Sequence, residues 1–259
     1  MKKFGLLILL FASLNFAQTN FTAIYNLTGS GNDITSFIYN GTVYSGFSAG
    51  NLLKVGISSS SSTNNYRGTN WPTGATNGSD VFSGLVDLGK FIGFTFNAQS
   101  GYSITINTIE FGVGRSATGP RQWQWRGSFD SFGTALNDYT TLNVGLTNTS
   151  GVITNPDANS SWVGNILNVS SIYVDQTSAE FRLYGLNCEA TTGTGGLQGN
   201  ITITGTFEVV LPVELTSFSA ATIGKDVKLT WNTATEVNNF GFDVERCALS
   251  AERQAWDKI

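Results

Sequence analysis

The sequence contains no histidine in its 259 residues and only two cysteines. Without histidine the chain cannot form a Ser-His-Asp arrangement, and it lacks the commonest general base and the commonest zinc and copper ligand. Two cysteines are too few for a thiolate metal site. Because Cys188 and Cys247 fall in different predicted domains, two unpaired thiols are favoured over a disulfide, which export would permit.

Charged residues are also scarce, at 12% of the chain, and the formal net charge is −4. No basic run follows Lys2 and Lys3, although nucleic acids and anionic membrane surfaces are bound by clustered Lys and Arg. Serine and threonine are abundant, but a hydroxyl nucleophile needs a base, and no motif surrounds Lys54 or Lys90. The composition therefore predicts a protein that is not an enzyme and binds no nucleic acid.

What the sequence does contain is typical of a folded β protein. Hydrophobic residues make up 41% of the chain and aromatic residues 12%, which is enough apolar surface to form a core. Its 30 glycines, together with many Thr, Ser and Asn residues, are typical of strands joined by frequent turns.

Residues 1–17 have the features of a secretory signal peptide. Lys2 and Lys3 precede an apolar run, residues 6–14, that is too short to span a bilayer. Cleavage is predicted after Ala17, and no later segment is apolar enough to cross a membrane. The mature chain is therefore expected to be secreted, or held at the cell surface by something outside this sequence.

Turn-punctuated strands follow. Asn40-Gly41 lies between two β-rich runs and predicts a two-residue type I′ hairpin. Strands are also predicted at residues 52–57 and 91–96, whereas residues 58–80 read as a long surface loop. In the run 103–113 the apolar parity changes near Thr108, which predicts a bulge.

Three later segments also alternate. In residues 122–126 the two tryptophans share one face, and the glutamines and Arg126 share a predicted solvent face. Residues 181–185 and 201–209 alternate as well, and they are predicted to be neighbours across a hairpin loop at 193–199. Ten to twelve short strands without a long helical segment predict an all-β, jelly-roll-like β-sandwich over residues 18–210.

A resemblance supports this prediction. Five segments of turn and strand residues occur in the order 101–106, 115–120, 129–130, 180–185 and 199–205. Their order resembles that of a domain recurring in large exported bacterial proteins, which implies a jelly-roll-like fold whose own activity is generally undefined. The resemblance transfers no catalytic residue.

A second resemblance concerns residues 211–259. The runs LPVELTSFSA (211–220), VKLTW (227–231) and TATEVNNFGFDVER (233–246) resemble the module before the C-terminal sorting signal in cargo of the type IX secretion system. The resemblance implies the start of an immunoglobulin- or fibronectin-like sandwich, with the type IX export machinery as a partner. Two or three strands cannot bury their apolar face alone. The expectation is therefore a truncated domain, with the periplasm as the alternative location if the sorting signal is absent.

Exposed aromatic residues would indicate a sugar site, because sugar-binding modules present flat rings to pyranoses beside hydrogen-bonding side chains. Tyr66, Arg67 and Trp71 form the best such stretch, with a loop anchored by buried Trp71 as the alternative. Trp125 and Arg126 are kept as further contacts, although the alternation of their strand favours a core position for the indole.

Carboxylates define the remaining candidates. No pair shows the context of a glycosidase, which needs two facing carboxylates, one with a raised pKa. No cofactor is predicted, and a structural calcium ion near Asp80 and Asp157 is kept as an alternative because calcium takes oxygen ligands. The favoured function is a non-catalytic extracellular structural or adhesive module with a polysaccharide or a surface protein as partner. A carbohydrate-binding module and a divergent glycoside hydrolase using carboxylates alone are the alternatives.

Overall fold

The computed structural model describes residues 18–29, 33–60, 63–75, 86–210, 215–224, 226–234, 244–250 and 253–258. The predicted signal peptide and the predicted boundary at residues 211–212 lie outside these ranges. Contacts divide the chain into a first unit, Gln18–Glu208, and a second unit that begins at Val209. Within the described ranges, no helix has the length and apolar character needed to cross a membrane.

The described part of the first unit forms sixteen strands and one short 3-10 helix, Ser128–Asp130. In chain order the strands are β1 (Thr19–Tyr25), β2 (Ser36–Phe37), β3 (Phe47–Ala49), β4 (Leu52–Val55), β5 (Ser58–Ser60), β6 (Asn65–Thr69), β7 (Phe91–Ala98), β8 (Tyr102–Arg115), β9 (Gln122–Gly127), β10 (Tyr139–Thr141), β11 (Thr147–Thr149), β12 (Val152–Thr154), β13 (Ser160–Asn168), β14 (Ser178–Leu186), β15 (Gly195–Gln198) and β16 (Ile201–Val209).

These strands form two antiparallel sheets of eight. The first sheet has the order β1-β16-β8-β15-β6-β5, and β13 joins β8 to β10. The second has the order β11-β12-β9-β14-β7-β4-β2, and β3 pairs with β7. The predicted all-β sandwich is confirmed.

Eight of the strands have the connectivity of a jelly roll. If β1, β7, β8, β9, β12, β13, β14 and β16 are numbered one to eight, the first sheet contains the order 1-8-3-6 and the second 2-7-4-5. The chain therefore crosses between sheets at almost every connection, and the first and last strands are neighbours, which is the two-Greek-key arrangement.

The core lies between the sheets and is rich in aromatic side chains. Trp125 of β9 packs edge-on against Phe111 of β8 and Phe94 of β7, with ring centroids 5.4 and 6.0 Å apart. Tyr173 and Phe181 extend the same cluster, at 4.6 Å between centroids. Burying a phenylalanine-sized side chain contributes about 1.5–3 kcal/mol, so this cluster stabilises the contact between the sheets.

The parity change predicted inside β8 is confirmed. Ile104 and Ile106 are buried on one parity, and Ile109 and Phe111 are buried on the other. The two phases meet at the adjacent half-buried residues 107 and 108. The predicted bulge is present: Ile106 donates its N–H to the Tyr173 carbonyl, and the carbonyl oxygen of the next residue, Asn107, accepts from Val169, although neighbours in a regular strand bond to opposite sides. A separate register shift lies in β13, between Trp162 and Asn165.

The predicted Asn40-Gly41 hairpin is wrong. β2 contains only Ser36–Phe37 and pairs with β4, and residues 38–46 form a loop to β3. The side chain of Asn40 accepts a hydrogen bond from the N–H of Asn26 (2.9 Å) and donates one to its carbonyl oxygen (3.0 Å). A type I′ turn needs positive φ at both central residues, and neither Asn40 nor Gly41 has it.

Two predictions of connectivity are also wrong. The stretch 58–80 is not one long surface loop, because it contains β5 and β6, and Tyr66 and Gly68 are buried in the first sheet. Residues 61–62 and 76–80 of this stretch lie outside the described ranges. The segments 181–185 and 201–209 are not neighbours, because β14 belongs to the second sheet and β16 to the first. The residues between them are not a simple hairpin loop, since β15 pairs there with β6 and β8.

The predicted solvent face of β9 is partly wrong as well. Gln122 and Gln124 are buried, because the outer face of the second sheet carries its own apolar cluster of Phe91, Tyr184 and Leu186. Arg126, on the same face, is half-buried.

The second unit contains two separate hairpins in its described part. β17 (Leu215–Ile223) pairs antiparallel with β18 (Asp226–Thr233), and β19 (Glu245–Ser250) pairs with β20 (Arg253–Lys258). In β18, Leu229 and Trp231 are half-buried, whereas Val227 is exposed. The hairpins agree with the predicted β character, and the fibronectin-like fold remains a prediction.

Candidate functional site

Four loops meet at one end of the first unit, which we call the loop end. They are the described parts of the loops after β6 (70–75), β8 (116–121), β12 (155–159) and β14 (187–194). Backbone hydrogen bonds join them: Asn70 N–H donates to the Thr191 carbonyl (2.8 Å), Asn155 N–H to Arg121 (3.0 Å), and Glu189 N–H to Thr118 (3.1 Å). The loops therefore form one connected surface.

Two buried arginines lie at the centre of the loop end. Arg115, the last residue of β8, has a fully buried guanidinium that donates to the Asp157 carboxylate (3.1 Å), to the Pro156 carbonyl (3.2 Å) and to Glu189 (3.4 Å). It also donates to the carbonyl oxygen of Ala117. Its two terminal nitrogens together therefore contact three loops.

Arg121, the residue before β9, adds a second guanidinium to this network. Its guanidinium is almost fully buried and lies 3.7 Å from Glu189 and 3.9 Å from Asp157. Two cations and two carboxylates thus form a cluster without net charge. Moving charge out of water is costly unless it is paired and hydrogen-bonded, and these pairs offset that cost only while the loops keep their positions.

The predicted sugar-stacking rings are not on the surface. Trp71 is 1% exposed, and its indole N–H donates to the carbonyl oxygens of Gly68 (3.0 Å) and Gly195 (3.1 Å). Tyr66 is also buried, and its hydroxyl donates to Thr35 (2.8 Å). The alternative of a loop anchored by Trp71 is therefore the correct one, because the indole fills the space between the sheets where the loop folds back.

The other predicted sugar contacts do not converge on one place. Trp125 is fully buried against the core aromatics, as the alternation of its strand predicted. Arg126 donates to the carbonyl oxygens of Phe132 and Gly133, both at 2.8 Å, and so closes the turn after β9. Arg67 donates to Gln198 (2.7 Å), and burial lowers the pKa of its guanidinium. All three side chains have structural partners.

The predicted calcium site near Asp157 is not supported by the contacts of that residue. Its carboxylate faces the guanidinium groups of Arg115 and Arg121, which compete with a cation for the same oxygens. Asp80 lies outside the described residues. Within the described ranges, no group of three or more Asp, Glu, His or Cys side chains could hold a metal ion.

Away from the loop end, the first unit has an open depression that we call the tyrosine groove. Its volume is about 180 Å³, and the loop 38–46, the start of β3 and the turn after β7 line it. The side chains that define it are Tyr39, Val43, Tyr44, Phe47, Ser48 and Gln99.

The rings of the groove are held in place from behind. Tyr44 stacks on Phe47 with ring centroids 5.2 Å apart, and its hydroxyl donates to the Thr22 carbonyl (3.0 Å). Tyr39 meets Tyr25 edge to face at 5.1 Å. Both tyrosines are half-buried, whereas Val43 between them is 87% exposed. The groove is therefore an aromatic surface with fixed geometry.

Sequence reasoning missed this groove because it treated the segment as a hairpin. The available signal was three aromatic residues, Tyr39, Tyr44 and Phe47, within nine positions that also contain Asn40 and Gly41. In a paired hairpin the two tyrosines would be strand residues, but in a loop they can face a common space.

In comparisons with protein-family models, with curated proteins and with solved structures, no match to this chain was found.

Proposed function

We propose that the first unit is a non-catalytic, extracellular structural or adhesive module of an exported bacterial protein. The observation that carries this proposal is the loop end, where Arg115 and Arg121 join loops from both sheets through Asp157 and Glu189. Binding surfaces are commonly built from loops that a rigid scaffold positions, and these loops are fixed by buried charges.

The same network argues against a carboxylate-based hydrolase at this end. A glycosidase needs two carboxyl groups that face the scissile bond across an open site. The carboxylates of Asp157 and Glu189 instead accept hydrogen bonds from the Arg115 guanidinium, at 3.1 and 3.4 Å. We therefore propose that these residues hold the loops together.

A carbohydrate-binding module is the second candidate, and the tyrosine groove favours it. The groove combines fixed aromatic rings with hydroxyl and amide groups, which is the combination that sugar rings require. In this proposal the site lies at Tyr39 and Tyr44 instead of Tyr66 and Trp71.

Export is proposed from the sequence. The basic and apolar N-terminus and the resemblance of residues 211–246 to type IX cargo both favour secretion. The partners proposed are a polysaccharide or a surface protein outside the cell, and the type IX machinery during export.

The proposal is tested in a bacterium that has a type IX export system. The tagged full chain is expressed in wild-type cells and in cells without the export machinery. We expect export-dependent tag in the medium or on the surface, and greater attachment of the expressing cells to polysaccharide-coated or protein-coated plates.

Purified protein is assayed in parallel for release of reducing sugars from the same polysaccharides. Hydrolysis would contradict a non-catalytic role. A tag found only inside the cell, or attachment equal to that of cells lacking the gene, would contradict an extracellular structural or adhesive role.

A further inference from the structure

We infer that the tyrosine groove binds one uncharged pyranose ring. This inference rests on the proposed adhesive function and names its ligand class. The volume of the groove, about 180 Å³, is smaller than the roughly 300–1,000 Å³ of sites that enclose a whole small molecule. A groove of this size, open to solvent, fits one ring at the end or along the side of a longer glycan.

The chemistry of the lining selects the kind of ring. No side chain that defines the groove carries a charge: the lining is aromatic, aliphatic, hydroxyl and amide. A charged sugar would lose hydration without gaining an ionic partner. A neutral pyranose has an apolar C–H face, which can lie on an aromatic ring, and hydroxyls around its edge, which need hydrogen-bonding groups.

The groove supplies both kinds of contact. The half-buried rings of Tyr39 and Tyr44 provide aromatic surface, the buried ring of Phe47 supports them, and Ser48 and Gln99 provide polar groups at the rim. Ser48 is exposed, and its hydroxyl has only a long contact, 3.5 Å, with the Asn97 carbonyl. The exposed Ser48 and Gln99 side chains can therefore meet sugar hydroxyls.

The rings need no rearrangement before binding. The Tyr44 hydroxyl donates to the Thr22 carbonyl and accepts from the Thr22 N–H (3.1 Å), so it is tied to the edge of β1. The Tyr39 hydroxyl donates to the Thr42 carbonyl within its own loop (2.9 Å). Because side chains that are already ordered lose little entropy on binding, a small contact area can still give measurable affinity.

The alternative ligand is an apolar side chain of a partner protein. Val43 is 87% exposed and would suit such a contact as well. The polar rim favours the sugar, since a purely apolar ligand would cover Ser48 and Gln99 without hydrogen-bonding them.

The test uses the full chain and a panel of methyl glycosides of glucose, galactose and mannose. Binding of each glycoside is measured by saturation-transfer NMR. Val43→Glu places a charge in the groove at an exposed position and should leave the fold intact. Val144→Glu is the matched control, because Val144 is fully exposed and is not among the residues that line the groove. We expect at least one glycoside to bind, with a tenfold or greater loss of affinity in Val43→Glu only.

The inference is overturned if no glycoside shows saturation transfer, or if both variants bind glycosides as the parent does. It is also overturned if phenylalaninamide, a probe for an apolar side chain, binds in the groove and competes with the bound glycoside better than unlabelled glycoside does. Thermal melting of both variants verifies folding. If the glycosides fail while cells still attach to coated plates, the groove assignment falls and the adhesive function stands.

Discussion

The indole rings of Trp71 and Trp123 meet edge to face, 5.7 Å apart at an interplanar angle of 83°. Trp71 belongs to the loop after β6 in the first sheet, and Trp123 belongs to β9 in the second. Their contact therefore joins the two sheets directly beneath the loop end. The Trp123 N–H also donates to the Asn155 side chain (2.9 Å), which links the pair to a second loop.

Replacing Trp71 should lower the stability of the first unit. Trp71→Ala removes a buried indole and leaves the Gly68 and Gly195 carbonyls without their donor, so we expect a loss of about 3–5 kcal/mol in the free energy of unfolding. Chemical denaturation measures the loss. Val144→Ala, at a fully exposed site, should change stability by less than about 0.5 kcal/mol. An equal effect of the two substitutions would mean that the indole does not join the sheets.

Two substitutions in the loop-end network should differ in how much they lower the free energy of unfolding. Arg115→Met removes the hydrogen bonds by which this side chain joins three loops and leaves the carbonyl oxygens of Pro156 and Ala117 without that donor, so it should cost about 1–3 kcal/mol. Asp157→Asn should cost less than about 1 kcal/mol, because an amide oxygen can still accept a hydrogen bond from Arg115, and Glu189 remains beside the buried guanidinium. Both are measured by denaturant unfolding near neutral pH. A larger cost for Asp157→Asn than for Arg115→Met would contradict the central role of Arg115.

Lys54 should make stability depend on pH in the alkaline range. Its ammonium lies 3.9 Å from the ring centroid of Tyr66, and burial lowers its pKa to about 8, an effect that Asp33 partly opposes. The unfolded chain keeps this proton until about pH 10.4. The contribution of Lys54 to stability should therefore rise as the pH increases from 8 to 9.5, with a slope of at most about 1.4 kcal/mol per pH unit. Because the raised pKa of Cys188 acts in the opposite direction over this range, the contribution is measured as the difference between the parent and a Lys54 variant.

Unfolding curves of the parent, Lys54→Met and Lys228→Met at several pH values check this prediction. The difference in the free energy of unfolding between the parent and Lys54→Met should change in favour of the parent as the pH rises, whereas the exposed Lys228 control should follow the parent at every pH. A difference that stays constant with pH would mean that Lys54 does not titrate in this range. The range stops below pH 10 because burial raises the pKa values of Tyr25 and Tyr66, and unfolded tyrosines begin to ionise there.

The thiol of Cys188 should be unreactive in the folded protein. It is completely buried, and burial raises its pKa to about 12, so almost no thiolate forms at pH 8. In a Cys247→Ser variant, where Cys188 is the only cysteine, Ellman's reagent should react slowly in native buffer and stoichiometrically in guanidinium chloride. Rapid reaction under native conditions would mean that the loop end opens often.

Local sequence patterns predicted the strands of this fold better than they predicted which strands pair with one another. The alternation in β9 correctly placed Trp125 in the core, and the parity change in β8 correctly marked a bulge that keeps both halves of the strand facing one core. In both cases the relevant contacts are set by the pleat of one strand, which has a period of two residues.

Strand pairing could not be predicted from local patterns, because the chain alternates between the two sheets. β14 and β16 follow closely in sequence, so local reasoning paired them, whereas the jelly-roll order places each in a different sheet. Asn40-Gly41 has a strong local preference for a turn, but the two hydrogen bonds of Asn40 to Asn26 favour another path. Tertiary contacts decided both cases.

The candidate site was the least predictable part. Trp71 lies in a polar stretch, and only the fold shows that the stretch turns back over the end of the sandwich. Likewise, the cluster of Arg115, Arg121, Asp157 and Glu189 joins residues from three loops that sequence spacing does not relate.

The pairing of β1 with β16 has a mechanical consequence. Thr19 lies opposite Phe207, so the strand that opens the first unit and the strand that closes it have their outer ends side by side. Tension applied through these two ends would separate the strands like a zipper, one hydrogen bond after another, instead of loading all of them in shear. A first unit pulled through both of these ends would thus yield first at Thr19 and Phe207 and would open at low force.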